Sequence, residues 1–585
     1  MKQFLKITLA TVVGLLFTGL LCFIILFSIA SASLSSDKQY DLKESSVLKL
    51  TLDGTISEQS VENPFNLNIP GAPVSTKTDH QGLDDILAAI RKAKTEDKIK
   101  GIYLEAGNLN AGFATVEEIR DALADFKKSG KYVIAYGDTY DQREYFLCSV
   151  ADKVFINPEG MLNFCGLAAT PVFYSEALKK IGIQVEVFRV GTFKSAVEPF
   201  INTKMSPANR LQTTDYLNGI WGHLLDKISA SRNITVERLN QLADQNQLFQ
   251  PTKELLTNNL VDSILYESQV KDFLAAKNGV KKVKDLNEVS VDELLSAPEK
   301  KAKYIKDKVA VLYADGEIYD KGTEGIVQDD LLQQIDKIKD DDHIKAVVFR
   351  VNSPGGSAYA SEQIWKALAD LKAKKPIVVS MGDYAASGGY YISCNANKII
   401  ASPNTLTGSI GVFGTFFNVD KLTEKVGLDF DVVKTNDLAD IGNISRPMTT
   451  IEKQKIQRYV EHTYALFVHR CSNGRHMKAE DIMKIAEGRV WTGKRAVELG
   501  LADEIGGIDR AIQVAAKLGK TTDYKMVYYP EKENYLTEFI KQFTDQTRMR
   551  IALSFLGSDY APLVKLKASA IQTGILARMD KIDIK

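Results

Sequence analysis

The segment Ala346-Val-Val-Phe-Arg-Val-Asn-Ser-Pro-Gly-Gly-Ser357 joins an apolar run to a glycine-containing turn. The mostly apolar residues Ala346–Val351 predict a buried β-strand. The turn Asn352–Ser357 follows directly, and its two glycines let backbone N–H groups approach a ligand closely, which suits an oxyanion hole. Ser, Pro and Gly are also ordinary turn residues, so this segment alone leaves both interpretations open.

Similar apolar runs lie on either side of this segment. They occur at Val309–Tyr313, Ile377–Met381 and Lys398–Ala401, and the amphipathic pattern of Ser361–Ala373 predicts a helix between two of them. A longer helix is predicted at Thr450–Val468. Near-continuous apolar strands that alternate with helices indicate an α/β fold with a mainly parallel sheet covered by helices.

The same pattern occurs earlier in the chain. Ile99–Gly101 recurs as Ile344–Ala346, and Gly137-Asp138 recurs as Gly382-Asp383, with a separation of 245 residues in both cases. Upstream of this register the first half carries an additional polar loop around Asn63–Gln81. A constant register indicates a tandem duplication. The 585 residues therefore form two copies of one unit rather than the roughly four domains that length alone suggests.

The composition narrows the functional classes. Hydrophobic residues make up 45% of the chain and charged residues 25%, which is typical of a globular protein. Lys+Arg and Asp+Glu both number 74, so no global positive charge attracts nucleic acid. The five cysteines include no Cys-x-x-Cys pair, which argues against a zinc site or a disulfide framework. We expect no nucleic-acid partner, no metal and no cofactor.

The N-terminal run Ile7–Ser36 contains no charged residue. About 20 apolar residues suffice for a transmembrane helix, whereas the core of a signal peptide has about 7 to 15. Lys2 and Lys6 precede the run and Asp37 follows it, which predicts a cytoplasmic N-terminus with the rest of the chain outside. A cleaved secretory signal is the alternative, with Ala30–Ala32 as its cleavage site, but the length of the run favours an anchor.

Two serines of the second half are flanked by glycine. Ser387 lies in Ala385-Ala-Ser-Gly-Gly389, and Ser409 lies in Thr407-Gly-Ser-Ile-Gly411. Neither sequence is the Gly-x-Ser-x-Gly elbow of α/β-hydrolases. No histidine occurs between Ser387 and His462, so a Ser–His–Asp triad has no nearby base, although triad residues can be distant in sequence.

Three motifs in this order, Asn-Ser-Pro-Gly-Gly, Ala-Ala-Ser-Gly-Gly-Tyr-Tyr and Thr-Gly-Ser-Ile-Gly-Val, resemble the S49 family of signal peptide peptidases. The duplicated length, the apolar N-terminus and the segment Gly191–Phe200 resemble the long form of that family. The resemblance implies tandem Clp-protease/crotonase-like domains and a Ser–Lys dyad. By motif, Ser409 is the nucleophile, Lys194 is the general base, and Gly355 or Gly356 supplies an oxyanion-hole N–H. Ser387 is the alternative nucleophile.

The duplication supports this assignment of the dyad. The repeat counterpart of Lys194 is Ala439, and the counterpart of Ser409 is Phe164. Each half therefore lacks one member, and a single dyad is expected to form across the two halves.

The role of Lys194 requires an unusual pKa. An ordinary lysine, with a pKa of about 10.4, is charged at neutral pH and cannot accept the serine proton. Burial lowers the pKa, and apolar neighbours such as Val197 and Phe200 suit a buried site. Glu198 would oppose the shift if its carboxylate pointed towards the amine.

These observations and the resemblance together imply a membrane-anchored serine endopeptidase that degrades cleaved signal peptides. It is expected to be a homotetramer at the bacterial inner membrane, with its catalytic region on the periplasmic side. A crotonase-like acyl-CoA enzyme and a non-catalytic membrane scaffold are the alternatives. The expected divisions are an anchor (1–45), a lysine-bearing repeat (46–300), a serine-bearing repeat (301–528) and a C-terminal tail (529–585). Within these divisions, Lys281–Lys308 is expected to be a solvated linker, and Asn534–Leu553 a surface helix.

Overall fold

The computed structural model describes residues 40–60, 80–298, 305–322, 324–532, 574–579 and 584, together with residues 14, 17–19 and 21. Most of the predicted anchor, nearly all of the polar loop and the helix predicted at Asn534–Leu553 lie outside these residues. Within the described ranges, we find no helix with both the length and the apolar character of a membrane span.

A parallel sheet organises the described part of the first half. Its seven strands are β1 (Ser46–Ser57), β2 (His80–Gly82), β3 (Ile99–Asn110), β4 (Tyr132–Tyr140), β5 (Lys153–Leu162), β7 (Ser263–Ile264) and β8 (Asn287–Val289). The strand order is β2-β1-β3-β4-β5-β7, and β8 also pairs with β1. Every pairing in this sheet is parallel. Aliphatic side chains along β1 and β3 are buried, so this sheet forms part of the hydrophobic core.

An eight-stranded sheet repeats this arrangement in the second half. Its strands are β9 (Lys308–Asp315), β12 (Ile344–Ser353), β14 (Ile377–Ala386), β15 (Lys398–Ala401), β16 (Leu406–Gly408), β18 (Val490–Thr492), β19 (Glu504–Ile505) and β20 (Lys525–Tyr529). The order is β18-β16-β14-β12-β9-β20, with β15 paired to both β14 and β19. All pairings are parallel except that of β16 with β18. The predicted mainly parallel sheet is therefore confirmed in both halves.

Helices cover both sheets. Those of the first half are α1 (Leu83–Thr95), α2 (Phe113–Lys127), α3 (Gln142–Cys148), α4 (Ser175–Ile181), α5 (Glu198–Ile201), α6 (Pro207–Arg232), α7 (Val236–Asp244), α8 (Thr252–Thr257), α9 (Glu267–Lys277) and α10 (Val291–Ser296). Those of the second half are α11 (Gln328–Asp340), α12 (Ala358–Lys372), α13 (Gly388–Ser393), α14 (Asp420–Lys425), α15 (Thr450–Arg475), α16 (Ala479–Ile485), α17 (Gly493–Glu498) and α18 (Ile508–Leu518). Short 3-10 turns occur at Ser195–Val197, Gln247–Phe249 and Val283–Asp285.

A third, mixed sheet connects distant parts of the chain. Its strands are β6 (Gln184–Val190), β10 (Ile318–Tyr319), β11 (Ile326–Val327), β13 (Gly355–Ser357), β17 (Val412–Asn418) and β21 (Gly574–Arg578), in the order β11-β10-β13-β21-β17-β6. β6 belongs to the first half and β21 to the C-terminal tail, so this sheet joins both halves and the tail. Such pairing depends on contacts between residues far apart in sequence, and no local pattern predicts it.

The prediction of a solvated linker at Lys281–Lys308 is wrong for Asn287–Val289 and Val291–Ser296. Its strand β8 pairs in parallel with β1, and helix α10 follows immediately. Val289 and Leu294 are fully buried in the main core. Burial of these two apolar side chains stabilises the folded state. The surrounding lysines do not oppose it, because their ammonium groups stay in solvent.

A buried ion-pair network fixes the second half against the first. The guanidinium of Arg350, on the central strand β12, is completely buried. It donates to both carboxylate oxygens of Glu58, at 2.7 and 3.1 Å, and to Glu118 Oε1 at 2.6 Å. Both glutamates belong to the first half. Removal of one partner from such a network leaves a buried charge without compensation.

A second polar contact between the halves lies at the N-terminus of α2. Asp383 Oδ1 accepts hydrogen bonds from the backbone N–H groups of Ala114 and Thr115, at 2.9 and 3.1 Å. Its Oδ2 accepts from the Thr115 hydroxyl at 2.7 Å. A side chain of the second half thus caps a helix of the first, in the role that an N-cap residue of the same helix usually has.

We predict that Arg350→Met strongly destabilises the protein, because it leaves two carboxylates buried without their cation. The expected loss in the free energy of unfolding is about 3 to 5 kcal/mol. Chemical denaturation followed by circular dichroism measures it. Arg510→Met is the matched control, since Arg510 forms an exposed pair with Glu504; its loss should stay below about 1 kcal/mol. Equal losses in the two variants would contradict a special role for the buried network.

Candidate active site

The structure brings Lys194 and Ser409 together. Lys194 Nζ lies 3.0 Å from Ser409 Oγ and 3.0 Å from the carbonyl oxygen of the same residue. Lys194 and Ser409 are each 1% exposed. The two residues are 215 positions apart in sequence and come from opposite halves. An amine within hydrogen-bond distance of a hydroxyl can accept its proton if the amine is neutral.

Ser387 is the second hydroxyl at the amine. Lys194 Nζ lies 2.7 Å from Ser387 Oγ, and Ser387 is completely buried. The sequence predicted Ser387 only as the alternative nucleophile. The signal that could have identified its position is its glycine-flanked place at the end of β14, next to the strand that leads to Ser409. The hydroxyls of Ser387 and Ser409 therefore both contact the same amine.

Both serines have left-handed backbone conformations that non-glycine residues rarely adopt. The φ angle is 56° at Ser387 and 47° at Ser409. Backbone hydrogen bonds hold each one: Ser387 N–H donates to the Gly408 carbonyl at 2.9 Å, and Ser409 N–H donates to the Arg489 carbonyl at 2.7 Å. Strained conformations of this kind persist only where the surroundings fix them, and they concentrate at functional sites.

The loop that carries Lys194 packs against the second half. Phe193 N–H donates to the Glu487 carbonyl at 2.9 Å. A β-carbon placed on Gly488 would lie 2.7 Å from the backbone nitrogen and the Cα of Lys194, and one on Gly411 would lie 3.2 Å from its Cδ. Gly488 therefore has to be glycine for the Lys194 backbone to lie this close, and Gly411 has to be glycine because its β-carbon would also lie 2.9 Å from the Cα of Gly488.

Burial lowers the pKa of Lys194 well below its ordinary value, because the charged ammonium loses its hydration there. The Glu198 carboxylate, which could have opposed this shift, is bound elsewhere. It accepts hydrogen bonds from the Ser206 N–H at 3.0 Å, the Ser206 hydroxyl at 2.6 Å and the Asn209 amide at 3.1 Å. Glu198 therefore anchors the start of α6, and the amine is free to be neutral.

The glycine turn lies beside Ser387. Gly355 has a φ of 97°, and a β-carbon there would lie 2.6 Å from the backbone nitrogen of Gly388. Its own N–H donates to Ser353 Oγ at 3.1 Å. Gly356 pairs with a residue of the tail strand β21. The oxyanion-hole assignment of Gly355 or Gly356 stays a prediction, although the turn does lie close to the serine segment.

The counterpart of this site in the first half contains other side chains. Phe164, at the position of Ser409, is fully buried and contacts the rings of Tyr145 and Trp221 at centroid distances of 5.7 and 5.3 Å. Ala439, at the position of Lys194, lies on an exposed loop of the second half. Neither residue can transfer a proton, so this first-half counterpart lacks both the serine and the lysine of the site.

Comparison with known proteins shows similarity to peptidases in both halves of the chain. Peptidase family S49 matches the chain over residues 125–281 and 369–522, one match in each half, and the Clp protease family matches residues 300–407. Protease 4 of Salmonella typhi is 37% identical, covering 88% of this chain and 87% of its own length. Protease 4 of Haemophilus influenzae is 32% identical over 95% of this chain and 93% of its own length. The chloroplastic serine protease SPPA of Arabidopsis thaliana is 31% identical over 92% and 78%.

These matches extend through both repeats and confirm the tandem, Clp-protease-like α/β fold. They also favour a peptidase over an acyl-CoA enzyme or a scaffold without activity, since all three relatives are proteases. The chain belongs to peptidase family S49 and is a serine peptidase.

Proposed function

We propose that this chain is a membrane-anchored endopeptidase that degrades cleaved signal peptides, with Ser409 as nucleophile and Lys194 as general base. The observation that carries the proposal is the 3.0 Å distance between Lys194 Nζ and Ser409 Oγ, two residues that are each 1% exposed. A buried amine that stays neutral can take the proton of the serine as its oxygen attacks a peptide carbonyl.

The proposed reaction has two steps. In the first, Ser409 Oγ bonds to the carbonyl carbon and its proton passes to Lys194 Nζ; the peptide C–N bond then breaks as Lys194 gives this proton to the leaving amine, and an acyl-enzyme remains. In the second, water attacks the ester carbon and loses a proton to Lys194; the ester C–O bond then breaks as Lys194 gives this proton to Ser409 Oγ, which releases the acid and regenerates the serine. Ser387 keeps Lys194 Nζ in position through the 2.7 Å contact. The glycine turn at Gly355 and Gly356 stabilises the oxyanion.

The substrate and the location follow from the family and the N-terminal sequence. Residues 1–45 form the anchor, with the N-terminus in the cytoplasm and both repeats on the periplasmic side of a bacterial inner membrane. An anchor raises the effective concentration of the enzyme at peptides that remain in the same membrane. The repeats comprise residues 46–300 and 301–528, and the C-terminal tail comprises residues 529–585.

A homotetramer is supported by an apolar segment with no strand partner among the described residues. In the segment 428–434, residues 428–432 alternate apolar and polar side chains. Leu428, Phe430 and Val432 are 56%, 58% and 43% exposed. Their repeat counterparts lie in and next to β6, which pairs antiparallel with β17. An exposed segment with a strand-like pattern favours pairing with another chain.

The pairing of β6 with β17 predicts which surface of a second copy this segment contacts. The counterpart of β17 in the first half is Leu167–Phe173, whose only described strand contact is the bridge between Ala169 and Ile584. Pairing of residues 428–434 with Leu167–Phe173 of a second copy would repeat the contact within the chain. Such a head-to-tail interface generates a closed ring when the rotation closes, and the tetramer number comes from the family resemblance.

We predict that Ser409→Ala and Lys194→Met each abolish hydrolysis of a hydrophobic peptide while the fold is retained. Loss of the nucleophile or base should lower kcat by at least about 1,000-fold, as in other catalytic dyads and triads. Ser387→Ala should lower kcat less, by about 10- to 100-fold, because it removes only the hydroxyl that positions the base. A Ser387→Ala enzyme with no activity beside a fully active Ser409→Ala enzyme would assign the nucleophile to Ser387 instead.

We predict that kcat/KM rises with pH through an apparent pKa well below 10.5. The neutral amine is the active form, so activity is present above the pKa of Lys194 and is lost as pH falls through it. Stopped-assay rates across pH 5 to 10 measure the midpoint. Glu198→Gln is the control and should leave the midpoint unchanged, because that carboxylate is bound to Ser206 and Asn209. A midpoint near the ordinary lysine value would contradict a buried base.

We predict that the double variant Phe430→Asp/Val432→Asp is monomeric, because two charges cannot be buried without partners at the proposed interface. Size-exclusion chromatography with light scattering in mild detergent measures the mass. Phe249→Asp is the matched control, since Phe249 is 81% exposed outside this segment. An unchanged mass in the double variant would rule out this interface.

A further inference from the structure

Residues 487–490, which we call the bridging segment, contact the loops of both proposed catalytic residues. The carbonyl oxygen of Glu487 accepts a hydrogen bond at 2.9 Å from the N–H of Phe193, the residue before the proposed base. The carbonyl oxygen of Arg489 accepts a hydrogen bond from Ser409 N–H at 2.7 Å. One carbonyl of this segment thus holds the loop of the base, and another holds the nucleophile.

Backbone contacts within the second half fix the bridging segment beside the nucleophile. Glu487 and Gly488 have φ angles of 54° and 79°, and Gly488 N–H donates to the Ile410 carbonyl at 2.8 Å. Val490 begins β18 and lies opposite Gly408 in the antiparallel pairing of β18 with β16. The second half therefore sets the position of this segment relative to the nucleophile, and the first half has to bring the base to it.

Gln212, on helix α6 of the first half, joins the loop of the base to the bridging segment. Its Nε2 donates to the Phe193 carbonyl at 3.1 Å and to Ser195 Oγ at 3.0 Å. Its Oε1 accepts a hydrogen bond from Val490 N–H at 3.2 Å. A carbonyl oxygen can only accept and a backbone N–H can only donate, so these partners fix the orientation of the amide. Gln212 thus binds both sequence neighbours of Lys194 together with the bridging segment.

The amide of Gln212 is buried and its helix is anchored. Gln212 is 2% exposed, so the loss of a hydrogen bond there is not compensated by solvent. Glu198 accepts hydrogen bonds from Ser206 and Asn209 and so fixes the first turn of α6, directly before Gln212. The amide therefore has a defined position from which to hold the loop of the base.

The side chain of Arg489 supports the same contact between α6, the loop of the base and the bridging segment. Its guanidinium lies 4.9 Å from the centroid of the Phe193 ring and 4.2 Å from that of the Trp491 ring. It also forms an ion pair at 2.6 Å with Asp215, which follows Gln212 by three residues on α6. This pair is partly exposed, so we expect it to contribute less than the buried amide.

The repeat counterpart of Gln212 has a different environment. Helices α6 and α15 both have 26 residues, and their N-caps, Ser206 and Thr449, put Gln212 in register with Lys455. Lys455 is exposed. A general requirement of the repeat would place a buried polar side chain at this position of both helices, whereas the buried glutamine occurs in the half that carries the base.

We propose that Gln212 is a positioning residue that sets the distance between Lys194 Nζ and Ser409 Oγ, through its hydrogen bonds to the loop of the base and to the bridging segment. The inference rests on the proposed function for its effect on the rate, but its effect on the distance does not. Phe193 and Ser195 flank Lys194 in sequence, so release of these two residues displaces the amine.

Displacement of the loop should also change the charge state of the base. Among the charged groups around the loop, Glu198 is bound to the start of α6 and Arg189 donates to the Lys194 carbonyl at 3.3 Å. Arg489 forms its ion pair with α6, and the Glu487 side chain is exposed. Burial is the cause that lowers the pKa of Lys194. Entry of water therefore raises that pKa towards the ordinary lysine value.

The test compares two buried glutamines of the first half in the full-length chain. Gln212→Met keeps the length of the side chain and removes its hydrogen bonds. It should lower kcat for a hydrophobic peptide by about 10- to 100-fold, because small displacements of a catalytic group are costly. KM should change less than about twofold, since the loss is in the transition state. The midpoint of kcat/KM against pH should rise.

Gln247→Met is the matched control. Gln247 is also 2% exposed, and its Nε2 donates to the Leu242 carbonyl at 2.7 Å. This variant loses a comparable buried hydrogen bond but should keep the wild-type kcat and midpoint. Urea denaturation of both variants shows whether they are equally stable. Gln212→Glu is the second test variant, because it keeps the acceptor for Val490 N–H and loses the donor to the Phe193 carbonyl; its midpoint should also rise.

A crystal structure of each variant separates this inference from the proposed dyad. In Gln212→Met, Lys194 Nζ should lie beyond hydrogen-bond distance of Ser409 Oγ, whereas Gln247→Met should retain the 3.0 Å contact. A longer distance in Gln212→Met, together with active Ser409→Ala and Lys194→Met enzymes, would support the positioning role and overturn the dyad.

Other outcomes would overturn the inference alone. One is an unchanged distance and midpoint in both Gln212 variants while Ser409→Ala is inactive, whatever the value of kcat. The other is an equal loss of kcat in Gln212→Met and Gln247→Met, which would indicate a purely structural role for the buried amide.

Discussion

The burial of one amine is the constraint on which the site depends. Lys194 can act as a base only if its charged form is disfavoured, and the protein achieves this by enclosing the side chain completely. Enclosure requires the loop of the first half to lie directly on the second half. Gly411 and Gly488 make that approach possible because any β-carbon there would meet the lysine.

The contact between the two halves therefore has to be rigid. The Arg350 network and the Asp383 cap both cross it, and the main hydrophobic core contains strands from both repeats. A shift of about 1 Å between the halves would carry Lys194 Nζ out of hydrogen-bond distance of both serines, and misplacements of this size are costly in catalysis. The polar network thus serves the geometry of the site as well as stability.

The duplication explains how the halves diverged. At the repeat position of Ser409 the first half has Phe164, whose ring packs against Tyr145 and Trp221. The repeat is still recognisable a few residues further on, because Ala169 pairs with the C-terminal tail as its counterpart Gly414 does. The first half contributes Lys194 to the site in the second half, whereas its own counterpart of that site contains aromatic side chains.

The sequence alone was sufficient for the α/β class and the duplication, because strand patterns are local and the repeat register is constant. Its resemblance to family S49 pointed to Ser409 and Lys194, and the structure brings these two residues together. It did not predict the place of Ser387, the burial of Val289 and Leu294, or the strand β21. These depend on pairing between segments hundreds of residues apart. A short apolar stretch does not indicate which distant segment it will pair with. The pKa of Lys194 belongs to this second group, since desolvation arises only when both halves close around the amine.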